Sequence, residues 1–370
     1  MTTITRPERA RRQLDWAAEQ LANCRLCPHR CAVNRRRGKR GRCGAGAGVA
    51  YFQEFVNFSE EPELSPSHAL LLTGCNLRCT FCHTAERLHD PAPVRRLTVT
   101  GLRRLAARGR AEGARNLNLY GGEPFVNLPG LLALVADSAE ADLPPLVWNT
   151  NLYCAAEALA ALDGIPAVWL ADFKFGNNRC AEKIAGATAY WDVLRERLLE
   201  LYRREPGKLL LRHLVLPGHV TCCTEPVLRW VAANLPGVRV SLRTAYLVMP
   251  AARGEPDLGR FLTPAEVAQA RRLAAELGLE LVPGADSAPP AAAAPAAADR
   301  GSVLEAEFVL SPRGEIYLRN APREMMRLAR ELAGQTPANA NPPEHCPGVR
   351  QGAKRRPEPF LTTDDTDGHG

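Results

Sequence analysis

The chain reads as an α/β protein built on a parallel sheet. Two observations carry this. Between about residues 68 and 283, short apolar runs alternate with segments of helical periodicity, and each run stands before a polar or glycine-rich turn. Alternating strand and helix units line up successive strands in one direction, in a sheet that is open or curled into a full or partial barrel. The second observation is placement. Cys75, Glu123, Asn149, Asp172 and Arg212 stand at or just past the ends of apolar runs, where such folds collect their active sites.

Taken in order, residues 8–22 predict a helix, with Leu14, Ala17, Ala18, Leu21 and Ala22 at helical spacing. Residues 24–48 are rich in Cys, Gly and Arg and have no apolar content to build a core. The strand candidates are Ala69–Thr73, Asn116–Tyr120, Leu146–Asn149, Val168–Phe173, Leu209–Leu214, Val238–Leu242 and Leu279–Val282. Helices are expected near 98–112, 128–139, 154–162, 190–204, 223–234 and 263–277. The last has a clear start, with Thr263 as cap, Pro264 in the first turn and Glu266 at the third helical position. Residues 284–300 are Ala/Pro-rich and read as a linker. Phe308–Leu318 reads as a hairpin turning at Ser311-Pro312-Arg313-Gly314, a helix is expected at 322–333, and the polar, Pro-rich tail reads as disordered. This divides the chain into a Cys-rich extension (1–50), the barrel-type domain (51–283), the linker (284–300), a small α+β appendage (301–335) and the tail (336–370).

A length of 370 residues allows one large domain with extensions, or two domains. Hydrophobic content of 46% beside 24% charged residues is ordinary for a globular protein, and no apolar run is long enough to cross a bilayer. The N-terminus has no apolar signal-type region, so the expected compartment is the cytoplasm, with no membrane partner. In a reducing compartment twelve cysteines point to metal or redox chemistry rather than disulfides. Residues 1–43 carry twelve Lys or Arg against Glu8, Asp15 and Glu19, while the whole chain is only +7. A basic end can bind nucleic acid or an acidic electron carrier. A solvated basic loop is the plainer reading, because no aromatic platform for base stacking is interleaved.

Cys75, Cys79 and Cys82 form Cys-x3-Cys-x2-Cys in TGCNLRCTFCH. Three thiolates leave a zinc one ligand short. A [4Fe–4S] cluster takes four Cys, so three leave one iron open to a chelating ligand. The spacing, with Phe81 just before the third Cys, resembles the signature of radical S-adenosylmethionine (SAM) enzymes. In that superfamily the open iron holds the amino and carboxylate groups of SAM, and one electron cleaves the sulfonium bond to give a 5′-deoxyadenosyl radical. The resemblance implies a [4Fe–4S] cluster, SAM, and an electron donor such as flavodoxin or ferredoxin.

Later strand ends extend it. Tyr120-Gly121-Gly122-Glu123-Pro124 resembles the motif whose backbone and Glu hold the SAM amino group; as a plain βα turn it would need no ligand. Asn149, Thr150 and Asn151 can bond a ribose or a cluster-side water, or cap the next helix. The similar place in glycyl-radical activating enzymes reads Asp-Thr-Asn-Gly, so Asn149 stands for the Asp and Leu152 for the Gly. Asp172 and Lys174 share one strand face and need each other or a ligand; the resemblance makes them contacts to SAM or to the substrate backbone. Arg212 is a candidate for the SAM carboxylate. His219, Cys222 and Cys223 follow the next strand, and Cys222 reads as a radical relay, a fifth-site thiol or inert.

Residues 24–245 resemble the branch related to the pyruvate formate-lyase activating enzyme. That branch implies a partial (β/α)6 barrel and an oxidoreductase that abstracts hydrogen from a protein or peptide, with activation of a glycyl radical enzyme as one case. The rival is a small-molecule substrate with residues 301–335 as a lid. A nucleic-acid-binding protein using the basic end explains neither Glu123 nor Asp172 and Lys174. Cys24, Cys27, Cys31 and Cys43 form Cys-x2-Cys-x3-Cys-x11-Cys, which implies a metal that folds the segment, with four unligated cysteines as the plainer alternative. Closed zinc fits that spacing, and an auxiliary iron–sulfur cluster is the other answer.

Overall fold

The computed structural model describes residues 4–58, 60–89, 94–283, 307–310 and 316–319. Among the described residues the main sheet has eight strands. They are β1 (Ala50–Asn57), β2 (Ser67–Leu72), β3 (Arg95–Arg96), β4 (Asn116–Gly121), β5 (Leu146–Thr150), β6 (Val168–Asp172), β7 (Leu209–Leu214) and β8 (Arg239–Arg243), in spatial order β3-β1-β2-β4-β5-β6-β7-β8. From β2 to β8 all pairings are parallel. At the β2 edge, β1 and β3 add antiparallel. Six parallel strands with helical crossovers make the partial (β/α)6 barrel. Among the described residues, no helix is long and apolar enough to cross a membrane.

The helices are α1 (Arg6–Arg11), α2 (Leu14–Ala22), α3 (Ala85–His89), α4 (Val99–Ala111), α5 (Leu128–Ala136), α6 (Ala156–Ala160), α7 (Asn178–Ala185), α8 (Tyr190–Arg204), α9 (Glu225–Asn234) and α10 (Pro264–Glu276). The expected single helix at 8–22 is two helices. Thr5 and Glu8 close a capping box that starts α1 early, and Gln13 N–H turns back tightly to Ala10 O at 3.0 Å, which breaks the run. Four elements were not foreseen: β1, β3 and the short helices α3 and α7. The polar Asn177 caps α7 by accepting from Cys180 N–H, and Gly186 ends it at φ 63°. The expected strand Leu279–Val282 shrinks to one bridge between Leu281 and Val240.

Alternation along the strands separates two apolar layers. Leu146, Trp148, Trp169, Ala171, Leu209 and Leu211 join the large core. Their neighbours Val147, Leu170 and Leu210 face the other way and pack with Leu64 and Val282. Two residues further along on this second face come Asn149, Asp172 and Arg212, with Asp172 and Arg212 in register and Arg212 beside Ser241. An apolar floor thus gives way to a polar layer toward the C-terminal strand ends.

The chain divides into two units, Met1–Asp299 and Arg300–Gly370. In the second, β9 (Glu307–Leu310) pairs antiparallel with β10 (Ile316–Arg319), Glu307 opposite Arg319. The expected turn at 311–314, the helix at 322–333, the linker at 284–300 and the tail lie outside the described residues.

Candidate active site at the strand ends

The loop after β2 is held from three sides. Gly74 turns it at φ 80°. Cys75 N–H then donates to Cys43 O at 3.1 Å, Arg78 N–H to Ala185 O at 2.8 Å and Thr80 N–H to Ile184 O at 3.0 Å. The last two use carbonyls that the end of α7 leaves without partners. Phe81 is buried, its ring 6.2 Å from Phe175 and 6.4 Å from Tyr246.

The three thiols lie in each other's fields. Burial raises Cys75 well above the usual thiol range, and Glu123, Cys79 and Cys82 add to it. Burial pushes Cys79 up to about 12, against the pull of Lys174. Lys174 Nζ donates to Asp172 Oδ2 at 2.5 Å. Burial opposes the ammonium's charge, but Asp172 and Cys79 outweigh it and raise the pKa. So the ends of β2 and β6 bring Cys79, Lys174 and Asp172 together.

Gly121 and Gly122 are explained by close approach. A Cβ on Gly121, which sits at φ 91°, would come 2.8 Å from Leu71 Cα, and one on Gly122 would collide with Gly74 O. Glu123, 2% exposed, accepts from Phe125 N–H at 3.0 Å, Thr150 Oγ1–H at 2.7 Å and Asn151 N–H at 2.8 Å. Burial dominates these donors and pushes its carboxyl up to about 7. Asn151 Nδ2 donates to Asn76 Oδ1 at 3.0 Å and reaches Cys75 Sγ at 3.7 Å. Among the described residues, Asn149 Nδ2 and both polar side-chain atoms of Asn118 are buried without a partner.

Arg212 is held by carboxylates of its own chain. Its guanidinium donates to Glu61 Oε1 at 2.9 Å, Glu61 Oε2 at 2.6 Å and Glu60 Oε2 at 2.8 Å. Ser241 and Arg243 complete the shell around Glu61. Burial works against the Glu61 carboxylate, but Arg212 and Arg243 hold it well below the usual range. The Arg212 bonds to these carboxylates use Nε and Nη2 of the guanidinium. Glu61 came from no sequence motif.

The Cys24, Cys27, Cys31 and Cys43 segment packs directly against the loop. Burial pushes Cys27 up to about 12, with Cys43 and Cys24 contributing, and Cys43 is raised by burial with Cys24 and Cys31 adding to it. Arg35 is buried and donates to Val126 O at 2.6 Å and to Cys43 Sγ at 3.4 Å. Asn76 joins the two groups: its carbonyl meets His29 Nε2 at 2.9 Å, and Asn76 itself follows Cys75. A cavity of about 610 Å³ is lined by Gly44, Gly46, Gly48, Thr73, Gly74 and Arg96, among others.

A family model described as the Radical SAM superfamily matches residues 70–231. An uncharacterized protein of Methanocaldococcus jannaschii is 32% identical over 276 residues, which is 73% of this chain and 79% of that protein. A 7-carboxy-7-deazaguanine synthase of Rhodopirellula baltica is 33% identical over 85 residues, 22% of this chain and 31% of the synthase. Among solved structures, a radical SAM methyltransferase from Sphaerobacter thermophilus aligns with a TM-score of 0.46 at 15% identity, over 59% of this chain and 66% of that one. The three-cysteine loop stands at the end of the first parallel strand, and the matched region spans that loop and the strand ends facing it; the chain belongs to the radical SAM superfamily.

Proposed function

We propose that the protein is an oxidoreductase of the activating-enzyme type, whose substrate is a protein or peptide and whose hydrogen-abstracting radical forms at the ends of β2, β4 and β6. The observation that carries this reading is the convergence there of Cys79, the Asp172–Lys174 pair and the buried Glu123. Cys75, Cys79 and Cys82 would hold a [4Fe–4S] cluster, and Gly121, Gly122, Glu123, Asn149, Asn151 and Phe81 would form the SAM pocket. The donor set fits: three thiols in one another's fields, and a buried Asn149 amide without a partner on the same inner face as Asp172. When bound, cluster and SAM supply a 5′-deoxyadenosyl radical.

This chain's own residues do the positioning. Glu123, once ionised, would accept from the SAM amino group in a site where Thr150 and two backbone N–H groups fix its oxygens. The Gly121–Gly122 backbone lets a ligand approach where a side chain would block it. Lys174 offers the Cys79 thiolate a nearby positive charge, and Asp172 keeps that ammonium in place. Cys24, Cys27, Cys31 and Cys43 hold a metal that braces the loop, through Cys43 O on Cys75 N–H. Flavodoxin or ferredoxin, both acidic, would dock by the basic N-terminal segment.

The peptide substrate is supported by the motifs shared with the pyruvate formate-lyase activating enzyme branch. The match to a 7-carboxy-7-deazaguanine synthase favours a second reading, a small-molecule substrate. A perdeuterated cell extract divided by size tests both. Reconstituted protein, SAM and dithionite are incubated with each fraction, and deuterium in 5′-deoxyadenosine is measured. Label from the macromolecular fraction supports the first reading. Label from the small-molecule fraction alone replaces it with the second, and no 5′-deoxyadenosine overturns both.

A further inference from the structure

Four ligand-type side chains meet outside this site. Cys180 is in the first turn of α7, and His219, Cys222 and Cys223 come from a π-helical turn (Val220–Thr224) and the residue before it. His219 Nδ1 lies 3.2 Å from Cys222 Sγ, 3.7 Å from Cys180 Sγ and 4.0 Å from Cys223 Sγ. Cys222 Sγ lies 3.8 Å from Cys180 Sγ and 3.9 Å from Cys223 Sγ. Among the described residues this is the one group of three or more His, Cys, Asp or Glu whose donor atoms all lie within 4.8 Å of one another.

Those distances are the edges of a coordination tetrahedron. Metal–sulfur bonds of about 2.3 Å and metal–nitrogen bonds of about 2.0–2.1 Å give edges of about 3.8 Å between sulfurs and about 3.5 Å from sulfur to nitrogen. An iron–sulfur cubane puts each ligand on a different iron, pointing away from the cube, so its ligand atoms stand farther apart. Three sulfurs and a nitrogen this close fit one ion.

The backbone is shaped for the convergence. Neighbouring residues on an α-helix point about 100° apart and do not face each other. Here Thr224 N–H reaches five residues back to His219 O at 3.3 Å, and the widened turn lets Cys222 and Cys223 aim at one point. Such turns mark functional places in helices. Gly176 makes room, since a Cβ there would come 2.5 Å from Cys223 O. Asn177 Nδ2 donates to Cys180 Sγ at 3.3 Å and to Cys222 O at 2.7 Å, and reaches Cys223 Sγ at 3.9 Å, as outer partners of thiolate ligands do.

We propose that Cys180, His219, Cys222 and Cys223 form a Cys3His site for a single tetrahedral divalent ion of the zinc type. Binding replaces three thiol protons with the metal and needs no oxidant or reductant. The ion is a staple. It ties the start of α7 to the turn after β7, and the far end of α7 holds the cysteine loop through Arg78 and Thr80. Its role is positioning.

The test counts zinc and iron per chain in full-length protein purified anaerobically, as wild type and as Cys222→Ala. Cys222 is only partly buried, so its truncation opens no deep cavity. The variant is expected to lose one zinc with iron unchanged. Equal zinc in both proteins overturns the proposal. So does loss of iron with Cys222, which would mean a cluster, or a mass two hydrogens lower in the wild type, which would mean a disulfide. Should Cys222→Ala precipitate, His219→Cys decides on Co²⁺-loaded protein. A shift of the thiolate-to-cobalt absorption, as one nitrogen becomes a fourth sulfur, is expected; an unshifted spectrum overturns the site.

Discussion

Cys75, Cys79 and Cys82 are close in sequence, whereas Cys180 and the His219–Cys223 turn come from separate elements, yet the second group is the one whose donors all lie within 4.8 Å. Their surroundings differ as well. The loop thiols face full charges: Glu123 beside Cys75, and Lys174 with Asp172 beside Cys79. The second group has an amide, Asn177, against its sulfurs, and the charges Asp257 and Lys183 act on its His219. A spacing motif displays its donors without their distances, and a tertiary group sets the distances without a motif. The first suits a cluster that spreads its ligands and works beside a charged cofactor; the second suits one closed ion that holds two elements together.

The comparison breaks most sharply at Cys79. Cys79→Ala is expected to abolish 5′-deoxyadenosine formation with SAM and dithionite, while the zinc count stays at the wild-type value. Turnover near wild type would remove the loop from the chemistry.

Glu123→Gln is expected to weaken SAM binding by about 10–100-fold, the range for losing a charge-assisted hydrogen bond. Because burial pushes the Glu123 carboxyl up to about 7, its ionised form gains population as pH rises from 6 to 8. Wild-type SAM affinity, read by calorimetry, should rise by about tenfold over that range, and the variant's should stay flat. Stability of the SAM-free protein runs the other way. Between the ordinary carboxyl value and about 7 the folded state binds more protons than the unfolded one. Stability therefore falls as pH rises through that window, and Glu123→Gln removes the slope. A SAM affinity independent of pH in the wild type would contradict this role.

A smaller effect is expected at the second group. Asn177→Ala removes an outer donor and should lower zinc affinity by about tenfold in a chelator competition, without changing iron. Unchanged affinity would make Asn177 only the cap of α7. The smallest change lies away from all sulfur. Thr5→Ala opens the capping box of α1 and should cost about 1 kcal/mol in a denaturant titration. Metal content should not move; a loss of metal there would mean that α1 governs the Cys24–Cys43 segment.

Much of this was legible in the sequence. The six parallel strands follow from apolar runs at βα spacing, and Gly121-Gly122-Glu123 stands where the strand order places it. What stayed hidden depends on contacts between distant segments. β1 is a half-exposed strand near the sheet edge with weak alternation, and α7 is eight residues with a polar start. The carboxylate partners of Arg212, Glu60 and Glu61, lie in a loop with no motif. Cys180 stands alone in sequence. The spacing His219-x2-Cys222-Cys223 was the available signal, and it lacked the fourth ligand.

The most direct test is an anaerobic count of iron, sulfide and zinc in wild type and in a Cys75→Ala, Cys79→Ala, Cys82→Ala triple variant. If the two sulfur groups hold separate species, the variant loses about four irons and four sulfides and keeps all its zinc. Iron that stays, or zinc that leaves with it, would contradict the account.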